Sequence, residues 1–142
     1  MADEREVKYI DPSWFQETRE GPLLMGTKCA ACDRVFFPRK QVCPECFGED
    51  LVAVPLSRQG ILHTYATSVM GPEGMDKPYL IGFIDLPERI KLFSLITGCD
   101  PSGETLKVGM NMEMVVEKIK TGEDGNDVLG YKFRPVEKGV TR

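Results

Sequence analysis

"CAACDRVFFPRKQVCPEC" (residues 29–46) holds four of the chain's five cysteines, in two pairs with two residues inside each pair. Each C-x2-C turn can present two sulfurs to one ion, and two such turns complete a tetrahedral four-sulfur site of the kind zinc or iron favours. The ten residues between Cys32 and Cys43 fall short of the usual spacing of about 15–20. They still suffice for a hairpin that brings Cys29, Cys32, Cys43 and Cys46 together. A catalytic zinc keeps a position open for water, whereas four thiolates fill every position. The only histidine, His63, lies outside the segment. The spacing therefore predicts a structural metal in a rubredoxin-like ribbon over residues 23–50, with zinc expected and iron left open. Lys28, Arg34, Arg39 and Lys40, less Asp33 and Glu45, balance the double negative charge of such a centre.

Thioredoxin-type redox chemistry places its C-x2-C between a strand and a helix, and neither pair here has that setting. Close cysteine pairs of a reducing compartment are metal ligands more often than disulfides. The N-terminus, MADEREVKYIDPSW, has no apolar stretch of signal-peptide type and no twin arginine, and no apolar run approaches a membrane span. A cytoplasmic protein is the expectation.

Residues 1–22 are expected to form a helical segment. Asp11 would be the N-cap, Pro12 the first helical residue and Gly21 the stop, with Trp14 and Phe15 on an apolar side. From residue 51 the character changes to β-branched and aromatic stretches between Gly, Pro and Asp turns. Strands are predicted near 51–55, 60–69, 79–86, 90–97, 110–119 and 128–134, separated by turns at 71–78, 86–89, 98–104 and 121–127. Met110, Met112, Met114 and Val116 alternate with more polar neighbours, a period of two. The fold class is mainly β, and residues 51–142 read as a five-stranded OB-fold barrel.

The chain carries 18 Lys and Arg against 22 Asp and Glu, a formal charge of −4, which argues against a general nucleic-acid binder. No P-loop, dinucleotide-binding glycine motif, GxSxG or HExxH is present. No nucleophile, base and orienting group assemble in the sequence, so no catalytic residue is nominated. Cys99, alone in GCDPSG, reads as an incidental free thiol, and His63 as a hydrogen-bonded strand residue. Arg34, Arg39 and Lys40 admit two readings: contacts to the phosphates of coenzyme A, or solvated charge. Phe36 and Phe37 read as packing between ribbon and barrel. The Met70–Pro78 loop is either a partner-binding or gating loop or a plain connection.

Taken in order, "GPLLMGTKCAAC", "FFPRKQVCPEC", "RQGILHTYATS", "PYLIGFIDLPERIKLFSLITG" and "YKFRP", after an N-terminal segment with its Trp, resemble the DUF35 family across residues 14–135. The family combines a zinc ribbon with an OB-fold beside acyl-CoA enzymes. The resemblance implies an accessory subunit in a hetero-oligomer, with no catalytic set of its own. The partner would be a thiolase-like or lipid-transfer-type enzyme carrying the chemistry. A coenzyme A thioester would lie at the interface, with no membrane and no nucleic acid. One group of the family serves aromatic acyl-CoA degradation, including the thiolase acting on benzoylsuccinyl-CoA, and this chain resembles that kind. Asp33 stands where many relatives have glycine after the second cysteine. Two other readings remain: a single-stranded nucleic-acid binder, since barrels and ribbons both serve that role, and a rubredoxin-like electron carrier with iron.

Overall fold

The structure, a computed structural model, describes residues 8–19, 21–38, 40–71 and 74–136. The predicted N-terminal helix is not formed. Asp11 does cap a turn, its carboxylate accepting from the Ser13 N–H at 3.1 Å and the Ser13 hydroxyl at 2.7 Å. That turn is a single 3₁₀ one, Pro12–Trp14, and Phe15 is already extended. A helix of this length would gain few internal hydrogen bonds for its nucleation cost. Pairing wins instead. After the short β1 (Lys8–Tyr9), strand β2 (Phe15–Thr18) lies antiparallel to the start of β3 (Gly21–Cys29), from Phe15 opposite Leu24 to Thr18 opposite Gly21. Gly21, expected as a helix stop, turns this hairpin at φ +112°, a conformation glycine tolerates.

The second half of β3 lies between β4 (Val35–Phe36) and β5 (Leu51–Pro55): Thr27 faces Phe36 on one side and Ala53 on the other. The stretch 51–55 is thus a strand, as its composition suggests, but it pairs with β3 and takes no part in the barrel ring.

The ring runs through β6 (Gln59–Ser68), β7 (Tyr79–Asp85), β8 (Lys91–Ile96), β9 (Asn111–Thr121) and β10 (Asp127–Pro135). Neighbours follow the order β6-β7-β8-β10-β9 and back to β6, and every pairing is antiparallel except β8 with β10. This is the five-stranded Greek-key closure of an OB-fold. Period-two alternation fills its interior with Leu62, Leu80, Ile84, Leu92, Ile96, Met112, Met114 and Phe133. Gly82 points inward where a Cβ would sit 2.4 Å from the Thr64 carbonyl oxygen, so only glycine lets β7 cross that close to β6. A bulge between Leu62 and Thr64 bends β6 as it turns around the barrel.

Leu24 and Leu56 belong to the barrel's apolar cluster, and the Leu56 N–H donates to the Leu24 carbonyl at 2.8 Å. Trp14 meets Phe37 at 5.2 Å and Tyr131 at 6.0 Å, and Phe37 meets Tyr131 at 5.8 Å, all edge to face. Three rings from the N-terminal turn, the ribbon and β10 thereby clamp the two parts together, an arrangement aromatic quadrupoles favour. Among the described residues no helix is long and apolar enough to cross a membrane.

Candidate metal centre and adjoining grooves

The two cysteine turns are built alike. The Asp33 N–H donates to the Cys29 carbonyl at 2.7 Å, and the Phe47 N–H to the Cys43 carbonyl at 2.9 Å. Cys29 and Cys43 in turn donate to the carbonyls of Arg34 and Gly48, both at 2.9 Å. The residue after each second cysteine sits in the left-handed region, Asp33 at φ +65° and Phe47 at φ +61°. An aspartate tolerates that conformation better than most residues. Phe47 does the same without that advantage, and the residue is 74% exposed.

All four sulfurs lie within 4.8 Å of one another, with Cys29 to Cys46 and Cys32 to Cys43 at 3.6 Å. A disulfide needs about 2.05 Å. Tetrahedral sulfurs around zinc, with bonds of about 2.3 Å, would stand roughly 3.8 Å apart. The arrangement is that of a zinc ribbon, and its spacing fits one ion. The chemistry of the donor set agrees. The Cys46 backbone N–H, with help from the Glu45 N–H and the thiols of Cys32 and Cys46, brings Cys43 down to about 7 against the cost of burial. The Arg34 backbone N–H favours a Cys32 thiolate, yet lost hydration and the three neighbouring sulfurs outweigh it and push Cys32 up to about 12. Four thiols so close cannot all ionise by themselves; a divalent cation at their centre would permit it.

The residues read from sequence as coenzyme contacts separate in space. Arg34 lines a groove of about 530 Å³ between ribbon and barrel, and its Nε is 3.8 Å from Glu45 Oε2 of the other cysteine turn. Lys40 lines a different groove, with Met25, Thr27 and Val52. Arg39 lies outside the described residues. Phe36 is buried in the ribbon with Cys29 and Cys43, and Phe37 packs against the barrel.

His63 Nδ1 lies 3.0 Å from Asp85 Oδ2, and Lys91 Nζ lies 3.3 Å from Asp85 Oδ1, a surface network. Burial, with the charge of Asp100, pushes the Cys99 thiol up, away from nucleophilic character. In the Met70–Pro78 loop, the Met70 carbonyl accepts from Ser68 Oγ at 2.7 Å and Tyr79 Oη at 2.9 Å, so the start of the loop is pinned. Sequence reasoning did not find Phe83, Phe93 and Arg89, which line the same groove as Arg34. A signal was there: YLIGFID and KLFSLI are apolar on both faces, whereas a barrel strand with a wet outer face alternates.

A four-sulfur ribbon leading into a five-stranded OB barrel defines a class of two-part proteins. Residues 24–52 match the family model for the ChsH2 rubredoxin-like zinc ribbon domain, and residues 53–117 that for the ChsH2 C-terminal OB-fold domain. The chain belongs to the DUF35 family. It is 32% identical over 133 residues to the benzoylsuccinyl-CoA thiolase subunit BbsA of Thauera aromatica, covering 92% of this chain and 90% of that one. It is 34% identical over 134 residues to a DUF35 domain-containing scaffold protein of Methanocaldococcus jannaschii, covering 92% and 93%. Among solved structures, an Ltp2-ChsH2(DUF35) aldolase shares the fold, with a TM-score of 0.63 at 23% identity over 80% of this chain and 84% of that one.

Proposed function

We propose that this chain is the non-catalytic accessory subunit of a thiolase-superfamily complex in acyl-CoA metabolism, acting in the cytoplasm. The observation that carries the reading is the near full-length likeness to a protein named as a thiolase subunit. The partner enzyme would hold the catalytic groups, and this chain would support it and help hold or gate the coenzyme A thioester. An aromatic acyl-CoA of the benzoylsuccinyl type is the substrate class that likeness favours.

In this reading Cys29, Cys32, Cys43 and Cys46 hold one zinc ion, whose task is structural. The ion supplies folding energy to a ribbon with almost no apolar core of its own. Ribbon and barrel then form one rigid surface through Trp14, Phe37 and Tyr131. Affinity capture of the tagged chain from its native cytosol tests the proposal. A thiolase-like protein in stoichiometric amount is the expected result, and recovery of nucleic-acid machinery alone would overturn it.

Metal identity has its own test. The purified protein should be colourless with one equivalent of zinc; a red protein would mean iron and an electron-transfer role. Every ligand must be a thiolate, so protons compete with the ion as pH falls and affinity rises with pH. Zinc loss to a chelator should therefore accelerate steadily between about pH 8 and about pH 5. A pH-independent rate would argue against thiolate ligation.

A further inference from the structure

The sulfur pairs in contact run between the two cysteine turns, Cys46 with Cys29 and Cys32 with Cys43, each at 3.6 Å. Each pair joins an exposed cysteine to a buried one, for Cys32 and Cys46 are exposed while Cys29 and Cys43 are fully buried. Gly48 lies against the first pair, where an added Cβ would stand 3.3 Å from Cys46 Sγ and 3.7 Å from Cys29 Sγ. Glycine therefore leaves that pair without the shield that any side chain would give it. A zinc-held cysteine is a thiolate, which is the nucleophilic form. An accessible thiolate beside a second sulfur able to displace water from it is the arrangement that favours reversible oxidation. Cys99 has neither advantage: it is only partly exposed, and burial pushes its thiol up.

We infer that Cys32 and Cys46 are sites of oxidation by hydrogen peroxide, and that disulfides running between the turns then take over the clasp of the ion. The inference rests on the four-thiolate zinc reading above. The Cys46 thiolate attacks one peroxide oxygen, the O–O bond breaks, hydroxide leaves and a sulfenic acid remains. The Cys29 thiolate attacks that sulfur, a second hydroxide leaves and the S–S bond forms. The two sulfurs have lost two electrons and the peroxide has gained them, while two protons from solvent turn both hydroxides into water. Cys32 and Cys43 follow by the same steps with a second peroxide, and the chain, its thiolate ligands gone, releases the ion. Disulfides Cys29–Cys46 and Cys32–Cys43 close spans of 17 and 11 positions, so they tie turn to turn as the ion does. Disulfides within the turns would span three positions each and leave the turns free to part. The oxidised ribbon therefore keeps Phe37 against Trp14, and a thiol reductant with zinc returns it to its first state.

Stepwise addition of hydrogen peroxide to the zinc-loaded chain tests it, with freed zinc measured in the filtrate, disulfides by peptide mapping and the junction by Trp14 emission. About two peroxides should free one zinc, and the mapped bridges should be Cys29–Cys46 and Cys32–Cys43. Trp14 emission should stay at its zinc-loaded wavelength, in contrast to the red shift expected with a chelator. Dithiothreitol with added zinc should restore the bound metal. Gly48→Ala should hold a full equivalent of zinc yet lose it to peroxide several-fold more slowly, because its methyl group covers the Cys46 and Cys29 sulfurs. Cys99→Ser should behave as wild type. Bridges within the turns, oxidation of Cys99 before zinc is freed, a Trp14 red shift on oxidation, or a Gly48→Ala variant as fast as wild type would each overturn the inference. With one equivalent of zinc measured before any peroxide is added, those results overturn the inference alone. A chain isolated without zinc would overturn the zinc reading and the inference with it.

Discussion

Cys43→Ser is expected to reduce bound metal from one equivalent to almost none and to unfold the ribbon while the barrel stays folded. The buried cluster of the ribbon consists of Cys29, Cys43 and Phe36, with Leu51 packed against it. Two of its three buried residues are thus proposed ligands, and one ring cannot hold a hairpin in water. Structural zinc sites contribute about 10–16 kcal/mol to folding, far more than so small a core could replace. The barrel has its own core around Leu62, Ile84, Met112 and Phe133, so its cooperative thermal transition should persist. Trp14, the only tryptophan, reports on the junction, since it rests on Phe37 of the ribbon. Its emission should shift to the red in Cys43→Ser and in wild type treated with a chelator. Unchanged metal content in the variant would show that the quartet is not the ligand set.

Phe133→Ala should be the most damaging single change in the barrel. Phe133 is fully buried on β10, opposite Ile96 of β8 and Met114 of β9, where the ring closes. The Thr97 N–H donates to its carbonyl at 2.9 Å just where β8 ends. Truncating a buried phenylalanine costs about 3–5 kcal/mol, which for a domain of this size lowers the melting temperature by roughly 10 °C or more. Phe133→Leu keeps much of the volume and should lose only about 1–1.5 kcal/mol. Urea unfolding followed by circular dichroism should rank wild type above Phe133→Leu above Phe133→Ala. An alanine variant within about 1 kcal/mol of wild type would mean that Phe133 is not central to the closure.

The features legible in the sequence are those whose cause is local. The cysteine quartet is local because spacing alone brings two sulfurs to each turn. Alternation at Met112 and Met114, and the turns at 86–89 and 121–127, mark the barrel strands to within a few residues. The partner of a strand is not local information. Nothing within Leu51–Pro55 says that it pairs with β3, and nothing within Phe15–Thr18 says that pairing will outcompete a capped helical start. The clamp of Trp14, Phe37 and Tyr131 joins residues far apart in the chain, so only the fold reveals it. Arg89 belongs to the same category: its turn was legible, but its positive φ and the groove beside it were not.

The central claim is that this chain assists catalysis without performing it. The most direct measurement is turnover of an aromatic acyl-CoA by the captured thiolase-like enzyme, with and without this chain, and by this chain alone. The expected result is no turnover by the chain alone, weak turnover by the enzyme alone, and full turnover when the two are combined. Conversion by this chain alone, or an enzyme equally active without it, would contradict the claim.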